Sequence, residues 1–205
     1  VDDSSPDGTI DVVKGLVENH PNRIFYVERK SKEGLGKAYI HGFNWAIENK
    51  YDFIFEMDAD LSHDPKELAP MLSYLREDKD MVIGSRYIKG INVVNWPMSR
   101  ILLSYLASIY VRWTTFMPIK DPTAGFVGYR RTALEALNLE KIKFVGYAFQ
   151  IEMKFKLWKR GFNCVEHPIV FTNRIRGASK MNGKIIWEAL PSVLILQLDH
   201  LLNRD

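Results

Sequence analysis

A single cysteine, Cys164, occurs in 205 residues, and it sits in an apolar, strand-like run. One thiol excludes a disulfide within the chain and makes a reducing cytosol the default setting. Nothing around it would activate a catalytic thiolate. No apolar run reaches the roughly 18 residues needed to cross a bilayer. The longest uncharged runs, Ile101–Val111 and Ala189–Leu198, are much too short. Repeats and low-complexity tracts are absent, and no secretory signal opens the sequence. The first residues, Val1-Asp2-Asp3-Ser4-Ser5-Pro6-Asp7-Gly8, read instead as the end of a strand without an initiator Met. The expectation is a sequence lacking amino-terminal strand(s). Basic residues only slightly outnumber acidic ones, 28 to 25, and a net charge of +3 is too mild a bias to imply nucleic acid.

What is present fits one globular domain over 1–205, with 46% hydrophobic and 26% charged residues. Helical spacing over Thr9–Asn19 puts Ile10, Val13, Leu16 and Val17 on one face. Ile24–Val27 reads as a short strand, Gly34-Leu35-Gly36 opens a helix through Glu48, and Tyr51–Met57 is a strand of β-formers. Pro65–Glu77 is helical and Asp80–Gly84 is again a strand. Such alternation predicts an α/β fold with a mostly parallel sheet flanked by helices. The second half departs from this rhythm. Trp96–Pro118 is a long aromatic-rich helical stretch, Gly125–Tyr129 a strand, and Tyr147–Arg160 a helix. Asn163–Phe171 is a strand broken at Pro168, and Ile185–Leu202 an apolar helix containing Pro191. The two apolar helices, flanked by Arg100, Arg112 and Lys184, are either buried core or amphipathic interface helices on a membrane surface; their aromatics and cations favour the interface.

The segment Met57–Pro65, MDADLSHDP, carries the chemistry. In extended chain, residues two apart share a side, so Asp58 and Asp60 can reach one cation at the carboxyl end of a strand. Two hard oxygen ligands suit Mg²⁺ or Mn²⁺ carrying a phosphorylated substrate. A solvated acidic turn is the alternative, and Asp64-Pro65-Lys66-Glu67 does look like a helix cap. That cap leaves Asp58 and Asp60 unexplained. Arg174–Lys184, RIRGASKMNGK, holds four basic residues and no acid, and would close on a diphosphate or form a solvated loop.

Six segments then fall in a telling order: VDDSSPDGT, EGLGKA, DADLSHDP, GSRY (Gly84–Tyr87), DPTAGFVGYRR (Asp121–Arg131) and RIRGASK (Arg174–Lys180). In this order they resemble the polyprenol-phosphate (dolichol-phosphate) mannose synthases, inverting family-two glycosyltransferases of GT-A fold. The resemblance spans essentially the whole chain. Two positions depart from the family pattern, Ser62 for a glutamine and Ala124 for a serine, and the family's opening proline-tyrosine-asparagine-glutamate turn has no match.

The resemblance implies transfer of mannose from GDP-mannose to a polyprenyl or dolichyl phosphate, at the inner face of the cell membrane, from a peripheral cytoplasmic position. By it, Val1, Asp3, Asp58, Ala59, Asp60, Arg86, Gln150, Arg174 and Lys180 bind the donor, with Arg176 able to share the task of Arg174. Asp60, Asp58 and Ser62 are the implied metal ligands, and His63 packs or caps nearby, with an imidazole ligand as the alternative. Arg86, Arg100 and Ser104 would hold the acceptor phosphate, the last two being one turn apart on one helix face. Asp60 and Arg86 are the catalytic expectations, and Lys37 either reaches a phosphate from the EGLGKA turn or, as favoured, points to solvent. Asp121 is expected to accept backbone N–H bonds within its own turn, so that Asp121→Asn would keep substantial rate. No general base is expected, because a phosphate monoester with a second pKa near ~6 is already largely dianionic. Two rivals remain open: another hexose, glucose or N-acetylglucosamine, or a non-catalytic nucleotide-sugar or lipid-head-group binding module.

Overall fold

The computed structural model describes residues 1, 2, 5, 8–29, 33–173 and 183–202. Its helices are α1 (Thr9–Asn19), α2 (Leu35–Glu48), α3 (Leu68–Glu77), α4 (Met98–Thr115), α5 (Arg131–Ala136), α6 (Tyr147–Lys159) and α7 (Gly183–Leu201). The strands are β1 (Phe53–Glu56), β2 (Met81–Ser85), β3 (Val93–Val94), β4 (Val127–Arg130), β5 (Cys164–Pro168) and β6 (Phe171–Thr172).

Four strands form one sheet in the order β1-β4-β2-β5. β2 runs parallel to β5, and β4 is antiparallel to both β1 and β2. Three strands therefore point one way, as alternation predicts, and β4 is threaded between them in reverse. The chain leaves α4 beyond the carboxyl end of β2 and enters β4 from there. Registers Glu56↔Val127 and Ile83↔Val127 place the start of β4 beside the ends of β1 and β2. Three loops meet at this edge: the one after β1, the one after β2, and the one before β4.

Period-two alternation sorts the sheet's side chains. Met81 and Ile83 face a large core containing Phe43 of α2 with Phe149, Met153 and Phe155 of α6. Val82 and Phe126 face Met71 and Leu75 of α3. The result is a three-layer α/β/α arrangement. Cross-strand crowding explains Gly128 on β4: a Cβ there would lie 2.3 Å from the ring of Phe55, its partner on β1. Gly36 is similarly pressed, 2.8 Å from Phe149 at the opening of α2.

One expectation needs correction. Ile24–Val27 forms no strand; among the described residues only Glu28 bridges, to Asp2. Helix α1 is helical over the expected span, and none of its residues is buried. Pro65–Glu67 is a 3-10 turn ahead of α3, with Asp64 accepting from the Lys66 N–H as its cap.

Helix α4 is amphipathic in an inverted sense. Its buried residues are Ser104, Ser108, Val111 and Thr115, while Leu102, Leu103, Leu106 and Trp113 are exposed. The buried hydroxyls of Ser108 and Thr115 donate to the carbonyls of Ser104 and Val111 one turn back, which removes their need for water. Helix α7 buries Val193 and Leu196 but exposes Leu194, Ile195, Leu198 and Leu201. Tyr110 joins the two helices by donating to the Leu190 carbonyl at 3.0 Å. Among the described residues no helix is long and apolar enough to cross a membrane.

Candidate active site

β1 delivers the chain to its acidic turn. The Asp58 N–H donates to His63 Nδ1 at 3.2 Å, and Asp60 Oδ1 accepts from the Ser62 N–H at 3.1 Å and the Ser62 hydroxyl at 2.5 Å. Leu61 takes a left-handed φ of 64°, which closes the turn. His63 lies buried against Phe126 and Phe171, and burial pushes its pKa down, so the ring stays neutral and Nδ1 remains an acceptor. It is a support for the turn, as the packing expectation has it. The Tyr39 hydroxyl sits 3.4 Å from Asp58 Oδ1. Burial, reinforced by the charges of Glu56, Asp58 and Asp60, raises its pKa far above the ordinary phenol value. Three carboxylate fields overlap here, and that suits a cation.

The donor set fits a divalent ion. Among the described residues no cluster of three or more His, Cys, Asp or Glu could enclose a metal. Two carboxylates suit Mg²⁺ or Mn²⁺, which complete their shells from substrate phosphates and water. The Ser62 hydroxyl is buried and donates to Asp60, so in this arrangement it braces that carboxylate. Ala59 is exposed at the turn.

At the end of β2, Arg86 is buried and tied to Asp121. Nε donates to Asp121 Oδ2 at 2.7 Å, Nη2 to Oδ1 at 2.6 Å, and the Arg86 backbone N–H to Oδ2 at 2.9 Å. Nη2 also donates to the Thr123 hydroxyl at 2.9 Å. Asp121 is thus the orienting partner of Arg86, which corrects the expectation that it mainly secures its own turn. Burial alone would raise its pKa; the adjacent Arg86 charge and hydrogen bonds outweigh this and hold the carboxyl below its usual range. Removing either partner would strand a buried charge at a cost of about 3–5 kcal/mol. Arg86 Nη1 has no hydrogen-bond partner among the described residues, which leaves one donor edge for a ligand.

Trp96 ties a second cation to this place. The Arg100 guanidinium lies 3.9 Å from its ring centroid and that of Arg86 5.7 Å. Arg100 also donates to Asn173 Oδ1 at 3.2 Å. Ser104 is buried and accepts from the Tyr87 hydroxyl at 2.8 Å. Arg86, Ser104 and Thr123 line one cavity together with the apolar Val111, Ile151 and Val193.

Two expected donor residues are placed elsewhere. Val1 is 55% exposed and lines a separate concavity with Phe25, Trp45 and Tyr51, because the Asp2–Glu28 bridge lays it over α2. Gln150 is buried, and its side-chain oxygen accepts from Lys154 Nζ at 2.9 Å, so it backs the site from within α6. Lys37 is exposed, as expected. Asp3, Arg174, Arg176 and Lys180 lie outside the described residues.

Comparison with known proteins joins this geometry to a family. Residues 1–137 match Glycosyl transferase family 2. The polyprenol monophosphomannose synthase of Mycolicibacterium smegmatis is 44% identical over 190 residues, covering 93% of this chain and 72% of that protein. The undecaprenyl-phosphate mannosyltransferase of Micrococcus luteus is 44% identical over 193 residues, covering 94% and 79%. The chain belongs to glycosyl transferase family 2. Its relatives place it among the polyprenol-phosphate mannose synthases. Among solved structures, glucosyl-3-phosphoglycerate synthase of Mycobacterium tuberculosis superposes with a TM-score of 0.67 at 15% identity, covering 95% of this chain and 66% of that one. A complex of that enzyme with Mn²⁺, uridine diphosphate and phosphoglyceric acid gives 0.64 at 15% identity, covering 98% and 65%. At such identity the likeness speaks for the GT-A fold.

Several parts of this family-2 site escape sequence reasoning. Glu166 on β5 accepts the N–H bonds of Lys120 and Asp121 at 2.8 and 2.9 Å, and so carries the loop ahead of β4. Trp96 and Lys154 are equally silent in sequence, since each owes its place to a partner at least ten residues away, as does Thr123. The one available signal was Thr123 within the DPTAGF segment.

Proposed function

We propose that this chain is a single catalytic unit transferring mannose from GDP-mannose to a polyprenyl phosphate with inversion. The observation that carries the reading is one sheet edge holding both a carboxylate pair, Asp58 and Asp60, and a buried arginine, Arg86, which lines a mostly apolar cavity. Asp58 and Asp60 would hold Mg²⁺ or Mn²⁺. Such an ion, when bound, supplies positive charge to the departing diphosphate. Arg174 and Lys180 of the basic segment, with Asp3 and the Ala59 backbone, complete the donor site in this reading.

The protein's own contribution is orientation and electrostatics. A lipid phosphate needs no base at neutral pH, because its second pKa lies near ~6. It does need to be held beside an anionic donor, which preorganised cations achieve. Arg86, fixed by Asp121, offers Nη1; Arg100 and Ser104 bracket the same entrance on α4. Attack by a phosphate oxygen on the anomeric carbon forms one C–O bond while the bond to GDP breaks on the opposite face, with the electron pair leaving on GDP. The product is polyprenyl phosphate β-mannose. The exposed apolar faces of α4 and α7 would rest on the inner face of the cell membrane, where the acceptor resides.

The test is turnover by the full-length protein with GDP-mannose, a short polyprenyl phosphate, and Mg²⁺ or Mn²⁺ with and without chelator. Metal-dependent release of GDP and formation of β-linked mannosyl lipid phosphate are expected. Turnover of UDP-glucose or UDP-N-acetylglucosamine in place of GDP-mannose would move the reading to another hexose. Donor binding without turnover would favour a binding module.

A further inference from the structure

Lys154, in the middle of α6, is fully buried, and all three of its ammonium protons are used. Nζ donates to the Ala124 carbonyl at 2.8 Å, the Gln150 carbonyl at 3.1 Å and Gln150 Oε1 at 2.9 Å. No carboxylate forms an ion pair with it among the described residues; Glu56 and Asp121 act on it only from further off. A buried ammonium held by neutral carbonyls is costly, and an apolar side chain of similar length would suit the core better. The position therefore answers to something other than stability.

Ala124 closes the turn that starts at Asp121, its N–H donating to the Asp121 carbonyl at 3.3 Å. This turn lies outside helix and sheet, so ladder hydrogen bonds do not hold it. It is pinned from two directions, by Glu166 at its first residues and by Lys154 at its last. The carboxylate between these pins is the one that grips Arg86 through both Nε and Nη2. Small shifts at a bidentate contact are poorly tolerated, because both bonds need one plane.

We infer that Lys154 is a positioning residue for glycosyl transfer: by holding the Ala124 carbonyl it fixes the Asp121–Ala124 turn, and through Asp121 it aims Arg86 at the acceptor phosphate. This rests on the mannosyltransferase reading above. Lys154 itself touches neither substrate, and nothing in the mechanism requires it to exchange a proton.

The experiment uses full-length protein with GDP-mannose and a short polyprenyl phosphate, and compares Lys154→Met with the double variant Lys154→Met/Glu56→Gln. Lys154→Met should lower acceptor kcat/KM by about tenfold or more while donor Kd, measured by calorimetry, stays within about twofold. The double variant removes the carboxylate left without its distant counter-charge. It should recover thermal stability without recovering acceptor kcat/KM. Acceptor kcat/KM near wild type in either folded variant would overturn the inference, as would failure of both to fold, which would make Lys154 a core element only. Were the wild type itself inactive, the mannosyltransferase reading would fall separately. A crystal structure of Lys154→Met would then decide the geometry, with a displaced Asp121–Arg86 pair supporting the inference and an unmoved pair overturning it.

Discussion

Arg86 commits Nε and Nη2 to Asp121 and retains Nη1, so its aim depends on a carboxylate 35 residues further along the chain. Asp121→Asn would replace one acceptor oxygen with an NH₂ facing the guanidinium and would leave Arg86 without its counter-charge. Turnover should fall by about 10²-fold, on the scale of losing one preorganised electrostatic contact. Steady-state kinetics on protein with an unchanged circular dichroism spectrum checks this, and retention of substantial rate would return Asp121 to its purely local role. Asp60 carries a different load. Its Oδ1 accepts two bonds from Ser62, and Asp60→Asn preserves that shape while removing the charge that balances a divalent ion. Calorimetry should show loss of the metal-dependent part of GDP-mannose binding; equal affinity with and without Mn²⁺ in wild type would refute the assignment.

Among the elements, α4 departs furthest from the usual pattern of a globular helix. It buries serine and threonine and turns leucine and tryptophan outward, with Trp113 80% exposed. Phe116, just past its end, is 75% exposed. Scattered exposed apolar residues are ordinary, but the row along α4, together with the exposed Leu194, Ile195, Leu198 and Leu201 of α7, is a surface suited to a bilayer interface. The wild-type protein should float with liposomes, and Leu106→Glu/Trp113→Glu should reduce the bound fraction several-fold while leaving the melting temperature nearly unchanged, because both sites are already exposed. Equal flotation of wild type and variant would assign membrane contact elsewhere. Periodicity made the spans of α1, α2, α4 and α6 readable from sequence nearly to the residue. It did not tell core from interface, since an apolar stripe has the same spacing whether it faces protein or lipid. Nor did it reveal the reversal of β4, which depends on where the chain re-enters the sheet.

Across the molecule as a whole, the core is unusually rich in charge. Glu56 is buried, accepts from the Tyr129 hydroxyl at 2.9 Å, and has its pKa pushed up to about 7 by burial, partly offset by the Lys154 charge. A carboxyl whose folded pKa exceeds its unfolded value of 4.5 binds its proton more tightly in the native state. That contribution is fully present below pH 4.5 and is lost as pH rises through about 7. Glu56→Gln should therefore gain stability relative to wild type as pH climbs through this window, by up to ~1.4 kcal/mol per pH unit. Denaturant titrations at several pH values check it; a pH-independent difference would mean that Glu56 is ionised in the native state throughout.

The sequence by itself determined the alternation of strands and helices, the carboxylate pair at the end of β1, and the arginine at the end of β2. Each is a local pattern, written within a few residues and governed by periodicity or by the reach of a strand end. Membership of glycosyl transferase family 2 was legible for the same reason, as a series of short motifs in order. Only the tertiary structure decided which partner each charge would meet. Asp121 took Arg86 because antiparallel insertion of β4 brought its loop beside the end of β2, and Ser62 braced Asp60 because the turn folded the hydroxyl inward. Gln150, Lys154 and Glu56 came together behind the site because α6 packs under the sheet with every residue from Ala148 to Leu157 buried. A solvated helix would have shown those polar residues to water; burial forced them to find one another, and no spacing along the chain announces which they will find.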